Sequence, residues 1–389
     1  RNSATGEWLP AAGNLVVRCD SSTALNPGDR AVVRGKIYPF TARHGGYGRL
    51  MTRRGYVGTL YLNRSSLLLR DTLHRELSPK HLSLFLHERA VARLDRLALA
   101  PDEQALCNAM TAGDRRSLSP ALRAAYSRSG TSHLLAVSGL HVGIVFLLAN
   151  LLLWWLPLFR HGHILRNIAV ILLIWLYAAT TGFPPSVVRA ALMFSVLQFA
   201  LASSSEYVGM NTLAGVAFVM LLFHPDYLFD ISFQLSFIAV AGIIAWGLPL
   251  CRLLRTRRKS IDMLTATLAI GFSASAATAP LISHTFGQIS VVGLALNPVV
   301  ILLSYVVVGS CTLWLVIPGT ALAPLFSVVA GFAARAQNEL IRAAAALPAA
   351  ALDIRLTTTQ CWIVYGLFIF ATLLLWSAER KKSVSSLPE

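Results

Sequence analysis

Acidic side chains are scarce in this sequence: 18 Asp and Glu stand against 34 Lys and Arg, and charged residues of both signs make up only 13% of the 389. A soluble globule of that length needs more charge to cover its surface, so the composition excludes an ordinary soluble fold for the whole chain. Of the few acids, Glu339 alone is well embedded in an apolar segment, while Asp230 and Asp262 stand at segment ends. Proton-coupled permeases normally keep carboxylates or histidines at mid-membrane, which leaves small-molecule transport as the weaker alternative. No GxxxxGK(S/T) phosphate loop occurs, hence no ATP-driven motor within the chain. The five cysteines, Cys19, Cys107, Cys251, Cys311 and Cys361, form no CxxC pair or zinc spacing. Only Cys19 and Cys107 precede the apolar part, and a disulfide between them on an oxidising side stays open. No catalytic residue, metal ligand or cofactor site follows from the sequence. With neither an initiating Met nor a signal peptide at Arg1, the chain reads as a fragment whose upstream part is missing.

What is abundant is hydrophobic: 55% of the residues, with a mean hydropathy of +0.59. The expected fold class is an α-helical polytopic membrane protein with an N-terminal small β-barrel as its soluble domain. The net charge of +16 is uneven, since Arg1–His133 hold 20 Lys/Arg against 10 Asp/Glu and Leu134–Glu389 hold 14 against 8. Basic excess on a soluble part points to a polyanion or an anionic lipid surface. A solvated basic face without a partner is the plainer alternative.

From Asn14 the sequence reads as short strands, NLVVRCD, PGDRAVVRGKIYPF and GRLMTRRGYVGTLYLN, separated by turn chemistry at Pro27-Gly28-Asp29 and Gly45–Gly48. This assigns a small β domain to residues 1–70. If Ala31–Phe40 is one strand, Arg34, Lys36, Tyr38 and Phe40 share a face and Val33, Gly35 and Ile37 the other. Eight Lys/Arg and no acid lie between Arg30 and Arg64, Arg53 and Arg54 among them. Cations for phosphates and rings for bases are what a nucleic-acid single strand needs; an exposed face with solubilising charge is the competing reading. Residues 71–132 follow as amphipathic and connecting helices. Leu82, Phe85 and Leu86 form the apolar side of the first, suited to a membrane interface or to the barrel, and a second helix starts at Pro101-Asp102.

Residues 133–380 are expected to form a transmembrane bundle, ahead of a tail at 381–389. Candidate crossings are Leu134–Leu156, Ile164–Gly182, Ser186–Ser203, Gly209–Phe223, Asp230–Leu250, Ile261–Ser283, Asn297–Ile317 (with Ile289–Leu296 re-entering before it), Ala321–Leu347 and Gln360–Ser377. Ala321–Leu347 carries Arg335, Glu339 and Arg342 and suits an amphipathic or interior role. If all nine cross, the basic loops at Arg160–Arg166, Arg252–Lys259 and Glu379–Lys382 fall on the cytoplasmic side and the β domain on the outer face.

Ser138, Gly139 and His141 place a hydroxyl, a flexible backbone position and an imidazole at the start of an apolar helix. Polar groups at that depth should face protein or a water-filled path. Gly139 and Gly143 form a GxxxG pair that lets another helix approach. Arg189 follows Pro184-Pro185 by one turn and needs either a carboxylate such as Asp226 or Asp230, or a pore. Gln234 lies a turn beyond Asp230 on its face, and Asn297-Pro298 reads as a helix break exposing backbone groups. Ordinary helix packing and supported membrane kinks are the structural alternatives.

The run GTSHLLAVSGLHVG resembles the signature of the ComEC competence family of inner-membrane proteins, as do SVVRAALMF, FDISFQLSFIAVAGI and APLISHTFGQISVVGLALNPVV. The resemblance implies an OB-like N-terminal domain lacking its first strand and a channel that internalises single-stranded DNA during natural transformation. It implies a bacterial inner-membrane location, the lipid bilayer and other competence proteins as partners, including a cytoplasmic helicase-like translocase, and it leaves homo-oligomers open. Arg34, Lys36, Tyr38, Phe40, Arg53 and Arg54 would then bind DNA, and Ser138, Gly139, His141, Arg189, Gln234 and Asn297 would line the path. Many family members add a metallo-β-lactamase-like nuclease domain. This chain's only HxH, His161-Gly162-His163, lacks the Asp and His such a metal site needs. Rhomboid-type intramembrane proteases resemble GxSG with a distant His, but Ala136 stands two before Ser138 and His284 sits in no matching motif, so proteolysis is the least favoured alternative.

Overall fold

The computed structural model describes residues 13–19, 29–40, 48, 51–52, 55–71, 79–202, 209–256, 258–290, 292–317, 322–347 and 351–385. The chain divides into two compact units, Arg1–Phe85 and Leu86–Glu389.

The first unit is built of strands β1 (Asn14–Cys19), β2 (Arg30–Val33), β3 (Ile37–Pro39), β4 (Tyr56–Leu62) and β5 (Leu67–Asp71). β4 is the centre of a three-stranded sheet, parallel to β1 and antiparallel to β3. β2 and β5 form a separate antiparallel ribbon, so among the described residues the sheet does not close into a barrel. Strict alternation along β4 buries Leu60 and Leu62 on one side and leaves Tyr61 out on the other. The single strand expected over Ala31–Phe40 is two strands in two sheets. The chain leaves the β2 ribbon at Arg34, whose N–H donates to the Ser66 carbonyl at 2.8 Å. It then passes so near Leu60 that a Cβ on Gly35 would stand 2.6 Å from Leu60 Cδ1, and it rejoins the other sheet at Ile37. Arg34 therefore falls outside the face that Lys36 and Tyr38 share.

The division between the units falls inside helix α1 (Pro79–Leu94). Its buried positions are Ser83, Ala90, Val91 and Leu94, while Leu82 and Phe85, expected on the apolar side, are exposed. Helices α2 (Pro101–Thr111) and α3 (Pro120–Arg128) follow. They are part of the bundle's core: Leu106, Met110, Leu122 and Tyr126 are fully buried with Val300, Val307, Ala330 and Ile341 from the distant end of the chain. The remaining helices are α4 (Gly139–Leu152), α5 (Gly162–Thr180), α6 (Pro185–Ala202), α7 (Gly209–Phe223), α8 (Ile231–Gly242), α9 (Leu248–Leu253), α10 (Lys259–Phe286), α11 (Val292–Val316), α12 (Ala323–Ala345) and α13 (Thr358–Ser385), with a π turn at Ile243–Gly247 between α8 and α9.

Among the described residues, five segments are long and apolar enough to cross a membrane: Gly139–Leu158, Gly162–Thr180, Ile231–Leu253, Ile261–Phe286 and Leu296–Val316. Pro185–Ala200, Gly209–Phe223 and Thr358–Leu373 are shorter apolar stretches among the described residues, the last of them part of the 28-residue helix α13. The nine expected crossings correspond to these five segments, the three shorter stretches and α12. That last helix buries its small and polar side, with Ala330, Ala334, Gln337, Asn338 and Ile341 inside, and exposes Val328 and Phe332. The same exposed side carries the Arg335–Glu339 pair at 2.9 Å, so its surface mixes apolar and charged groups. Its inner side is tied to α2 and α3: Tyr126 Oη donates to Asn338 Oδ1 at 3.0 Å, Asn338 Nδ2 donates to the Asp102 carbonyl at 3.2 Å, and Arg342 pairs with Asp102.

The break expected at Asn297-Pro298 is absent, for α11 runs unbroken through Pro298, and α10 likewise through Pro280. The backbone group a proline frees is tolerated at membrane depth where neighbours supply hydrogen bonds. Pro280 frees the Ala276 carbonyl, and one residue on, Tyr365 Oη donates to the Ala277 carbonyl at 3.1 Å. In place of the re-entrant piece, β6 (Ile289–Ser290) pairs antiparallel with β7 (Ala351–Leu352).

Candidate functional site

In the first unit, cations and rings gather across the sheet. Arg18 on β1 pairs in register with Tyr61 on β4, and Tyr38 on β3 pairs with Thr59, two residues back along the same face. The register brings four side chains into one row. Arg18 Cζ lies 5.9 Å from the centre of the Tyr61 ring, Tyr61 meets Tyr38 edge to face at 5.8 Å, and Lys36 Nζ lies 5.9 Å from the centre of Tyr38. Each cation stands within the reach of a cation–π contact, worth about 0.5–1 kcal/mol at an exposed site. Both rings are roughly half exposed, Tyr38 at 49% and Tyr61 at 56%. A shallow cleft of about 300 Å³ at one end of the row is lined by Arg18, Cys19, Tyr61, Leu62 and Asn63. Of the sequence candidates, Lys36 and Tyr38 are in the row. Phe40 is half-buried beyond the end of β3, Arg34 is on the loop bonded to Ser66, and Arg53 and Arg54 lie outside the described residues. Sequence reasoning passed over Arg18 and Tyr61. Alternation along β4 was enough to put Tyr61 on an outer face, but nothing local reveals that β1 lies alongside it.

In the second unit, the chain enters α4 through a short 3-10 turn at Ser132–Leu135 and an extended Ser138, with φ −121° and ψ 174°. The helix begins at Gly139, where the sequence has its polar break. The Ser138 N–H donates to His141 Nδ1 at 3.1 Å. A neutral imidazole that accepts at Nδ1 carries its proton on Nε2, and His141 Nε2, completely buried, has no partner among the described residues.

Helix α6 lies directly on this start. Ser186 Oγ donates to the Val137 carbonyl at 3.0 Å. A Cβ on Gly139 would stand 2.9 Å from Arg189 Nη2, and one on Gly143 would stand 3.3 Å from Phe194 Cζ. The GxxxG pair thus admits the neighbouring helix, and Phe194 stacks on Phe146 at 4.8 Å. Arg189 is 6% exposed. No carboxylate comes to it among the described residues: its contacts are Met193 Sδ at 3.9 Å and the Phe237 ring at 5.8 Å, and its Nε has no partner. Asp230, one of the two expected partners, instead caps its own helix, accepting from the N–H groups of Ser232 at 2.8 Å and Phe233 at 3.3 Å. A guanidinium without an anion at membrane depth costs about 3 kcal/mol on insertion scales, so Arg189 is a costly group to bury as it stands.

The structure therefore brings Ser138, Gly139, His141 and Arg189 together. Gln234 belongs to α8, the helix that supplies Phe237, but its amide donates back to the Leu228 carbonyl at 2.8 Å. Asn297 lies on α11 with its Oδ1 buried and unpaired, and no described contact joins it to Arg189. His284 is bonded through Nδ1 to the Leu356 carbonyl at 3.0 Å, at the far end of α10.

A family model described as Competence protein matches residues 110–381, more than two-thirds of the chain. The chain is 33% identical over 204 residues to the ComE operon protein 3 of Bacillus subtilis (strain 168), an alignment covering 51% of this chain and 24% of that protein. It is 29% identical over 201 residues to an uncharacterized protein of Aquifex aeolicus (strain VF5), covering 51% of this chain and 45% of the other. The matched part is thus less than half of either relative's length. No solved structure matches.

Proposed function

This chain belongs to the competence protein family of the ComEC type, and from that premise we propose that it is a membrane channel for the entry of single-stranded DNA in natural transformation. The N-terminal sheet, which we take as an open OB-like platform, holds the strand, and the helical bundle passes it without reading bases. The observation that carries the reading is the Arg18–Tyr61–Tyr38–Lys36 row, because alternating rings and cations serve stacked bases and phosphates of any sequence. Arg34, Phe40, Arg53 and Arg54 extend the basic face around it. In the bundle, Ser138, Gly139, His141 and Arg189 form the narrow point, with Gln234 and Asn297 as outlying polar positions. The chain acts as a channel without chemistry of its own, in a bacterial inner membrane, drawing on other competence proteins for the pulling force.

The test follows labelled double-stranded DNA in a transformable host lacking the gene, complemented with the full-length protein or with a variant carrying Arg18→Glu, Lys36→Glu, Tyr38→Ala and Tyr61→Ala. DNA should reach a protected outer compartment in every strain and the cytoplasm only with the intact protein. Unimpaired cytoplasmic entry without the gene would overturn the channel reading and turn attention to small-molecule transport.

A further inference from the structure

Two buried hydrogen-bond donors lie at the start of α4 and, among the described residues, find no acceptor. His141 has its Nδ1 occupied by the Ser138 N–H, which leaves Nε2 as a donor without a partner. Arg189 is more than nine-tenths buried, its Nε is unpartnered, and its Nη2 reaches the first residue of α4. α4 is 14 residues long, and its amino end, capped by Ser138 and His141, adds the partial positive charge with which helices hold anions. The second helix of the pair, α6, also begins here, at Pro185, and is fastened by Ser186 to Val137. Buried polar groups are ordinarily satisfied, and a cation, a helix amino terminus and an N–H donor together lack one kind of partner, an oxyanion. The glycine at position 139 keeps the space: with a Cβ there the guanidinium would have to move.

We propose that the start of α4, with Arg189 and His141, is a phosphate-binding site that takes one backbone phosphodiester of the passing strand. This rests on the channel reading for the identity of the strand, whereas the anion site itself rests on the geometry alone. A fork of guanidinium donors matches phosphate oxygens two at a time, and it does so without regard to base, as a non-selective path requires. One such contact would hold each phosphate briefly in register at the narrow point.

The experiment uses the full chain in phosphatidylcholine nanodiscs, with thermal unfolding followed by tryptophan fluorescence in chloride and in inorganic phosphate at equal ionic strength. Phosphate should raise the midpoint of the parent protein by several degrees. Arg189→Met should abolish that rise while melting no lower than the parent in chloride, since it removes a cation that has no anion. Arg189→Lys should keep part of the rise. Gly139→Ala, whose added methyl presses on the movable end of Arg189 and stands at ordinary contact distance, 3.5 Å, from Ala190 Cβ, should fold normally and lose it. A single-stranded oligonucleotide should reproduce the rise in the parent protein more than in Arg189→Met, and its uncharged methylphosphonate analogue should not. An equal phosphate response in the parent and Arg189→Met would overturn the site, as would an Arg189→Met protein that melts far lower in chloride. A rise seen only when phosphatidylglycerol replaces phosphatidylcholine, and never with inorganic phosphate or oligonucleotide, would assign the site to a lipid headgroup and overturn the strand phosphate. If the phosphate response depends on Arg189 but DNA enters cells lacking the gene, the channel reading falls and the anion site stands. If entry needs the gene but the response ignores Arg189, the site falls and the channel stands.

Discussion

The two units handle positive charge in opposite ways. On the N-terminal sheet Arg18 and Lys36 lie over exposed tyrosine rings, open to water and to salt. In the helical unit Arg189 is shut away with a sulfur and a phenyl ring for company. The first arrangement is inexpensive and weak per contact, fitting a surface that must catch and release. The second is costly in the resting protein and strong once an anion arrives, because little water competes for it. A long polyanion that meets both would be gathered by the first and metered by the second.

The comparison also implies different tolerance to change, and the largest effect is expected in the packed unit. Between α4 and α5 the chain folds back on itself so tightly that a Cβ on Gly162 would lie 1.7 Å from the Leu156 carbonyl oxygen. Backbone cannot yield as a side-chain tip can. Gly162→Ala should therefore destabilise the helical unit by more than about 3 kcal/mol, within the range of severe strain and packing defects, and reduce the folded yield measured by size exclusion in detergent. A normal yield would mean that the turn opens readily enough to admit a methyl group.

Next in size is the loss of ring faces from the sheet. Tyr38→Ala and Tyr61→Ala should each weaken binding of a single-stranded oligonucleotide by about 1–3 kcal/mol per stacked base, read by fluorescence anisotropy, with little change in stability because both rings are half exposed. If affinity holds while the fold is intact, the row is a solvated face and the contrast between the units loses one side.

Much of this architecture is legible in the chain. The apolar segments mark α4 to α11 to within a few residues, since length and hydropathy are local properties. The polar break at Ser138-Gly139 is where α4 starts, because a Ser, a Gly and a His three residues after the Ser disturb a helix wherever they stand. Pairing over distance is not local, and there the sequence is silent. Ala31–Phe40 looks like one alternating strand, yet Gly35 lets it cross from one sheet to another. Arg18 and Tyr61 look unrelated until β1 and β4 lie side by side. Arg189 looks as though it should find Asp230, but that carboxylate serves its own helix. Proline at 298 suggests a break, yet α11 runs through it.

A middle-sized effect concerns Asp114, in the turn between α2 and α3. Its carboxylate, 6% exposed, accepts from Arg116 Nε at 2.9 Å, Arg116 Nη2 at 2.9 Å and the Arg116 backbone N–H at 3.0 Å. The Arg116 side chain holds that carboxyl below the usual carboxylate range, against the opposing pull of burial. A folded value lowered in this way adds stability that is fully present above the unfolded pKa of about 3.9 and is lost as the pH falls through the folded value. Asp114→Asn should thus cost about 1–2 kcal/mol at pH 7, discounted because Arg116 is mostly in solvent. The difference from the parent, measured as a melting shift in detergent, should shrink steadily below pH 4. A deficit that stays constant down to pH 3 would mean that the amide fails for reasons of shape.

The smallest effect separates the two kinds of cation most cleanly. Arg18→Gln and Lys36→Gln remove a charge while leaving both rings in place, so each should cost less than about 1 kcal/mol of oligonucleotide affinity at moderate salt. The slope of log K against log salt is the sharper observable, since each phosphate contact on a single strand contributes about −0.7 to it. Losing both cations from the sheet should flatten the slope by about 1.4. Arg189 answers differently. A contact sealed from solvent is screened far less than an exposed one, so Arg189→Gln should lower affinity at every salt concentration by a similar factor, beyond the slope change that one phosphate contact entails. Equal slope changes for Arg18 and Arg189 with no offset at high salt would place both on the same wet surface, and the division of labour between sheet and bundle would then have no physical basis.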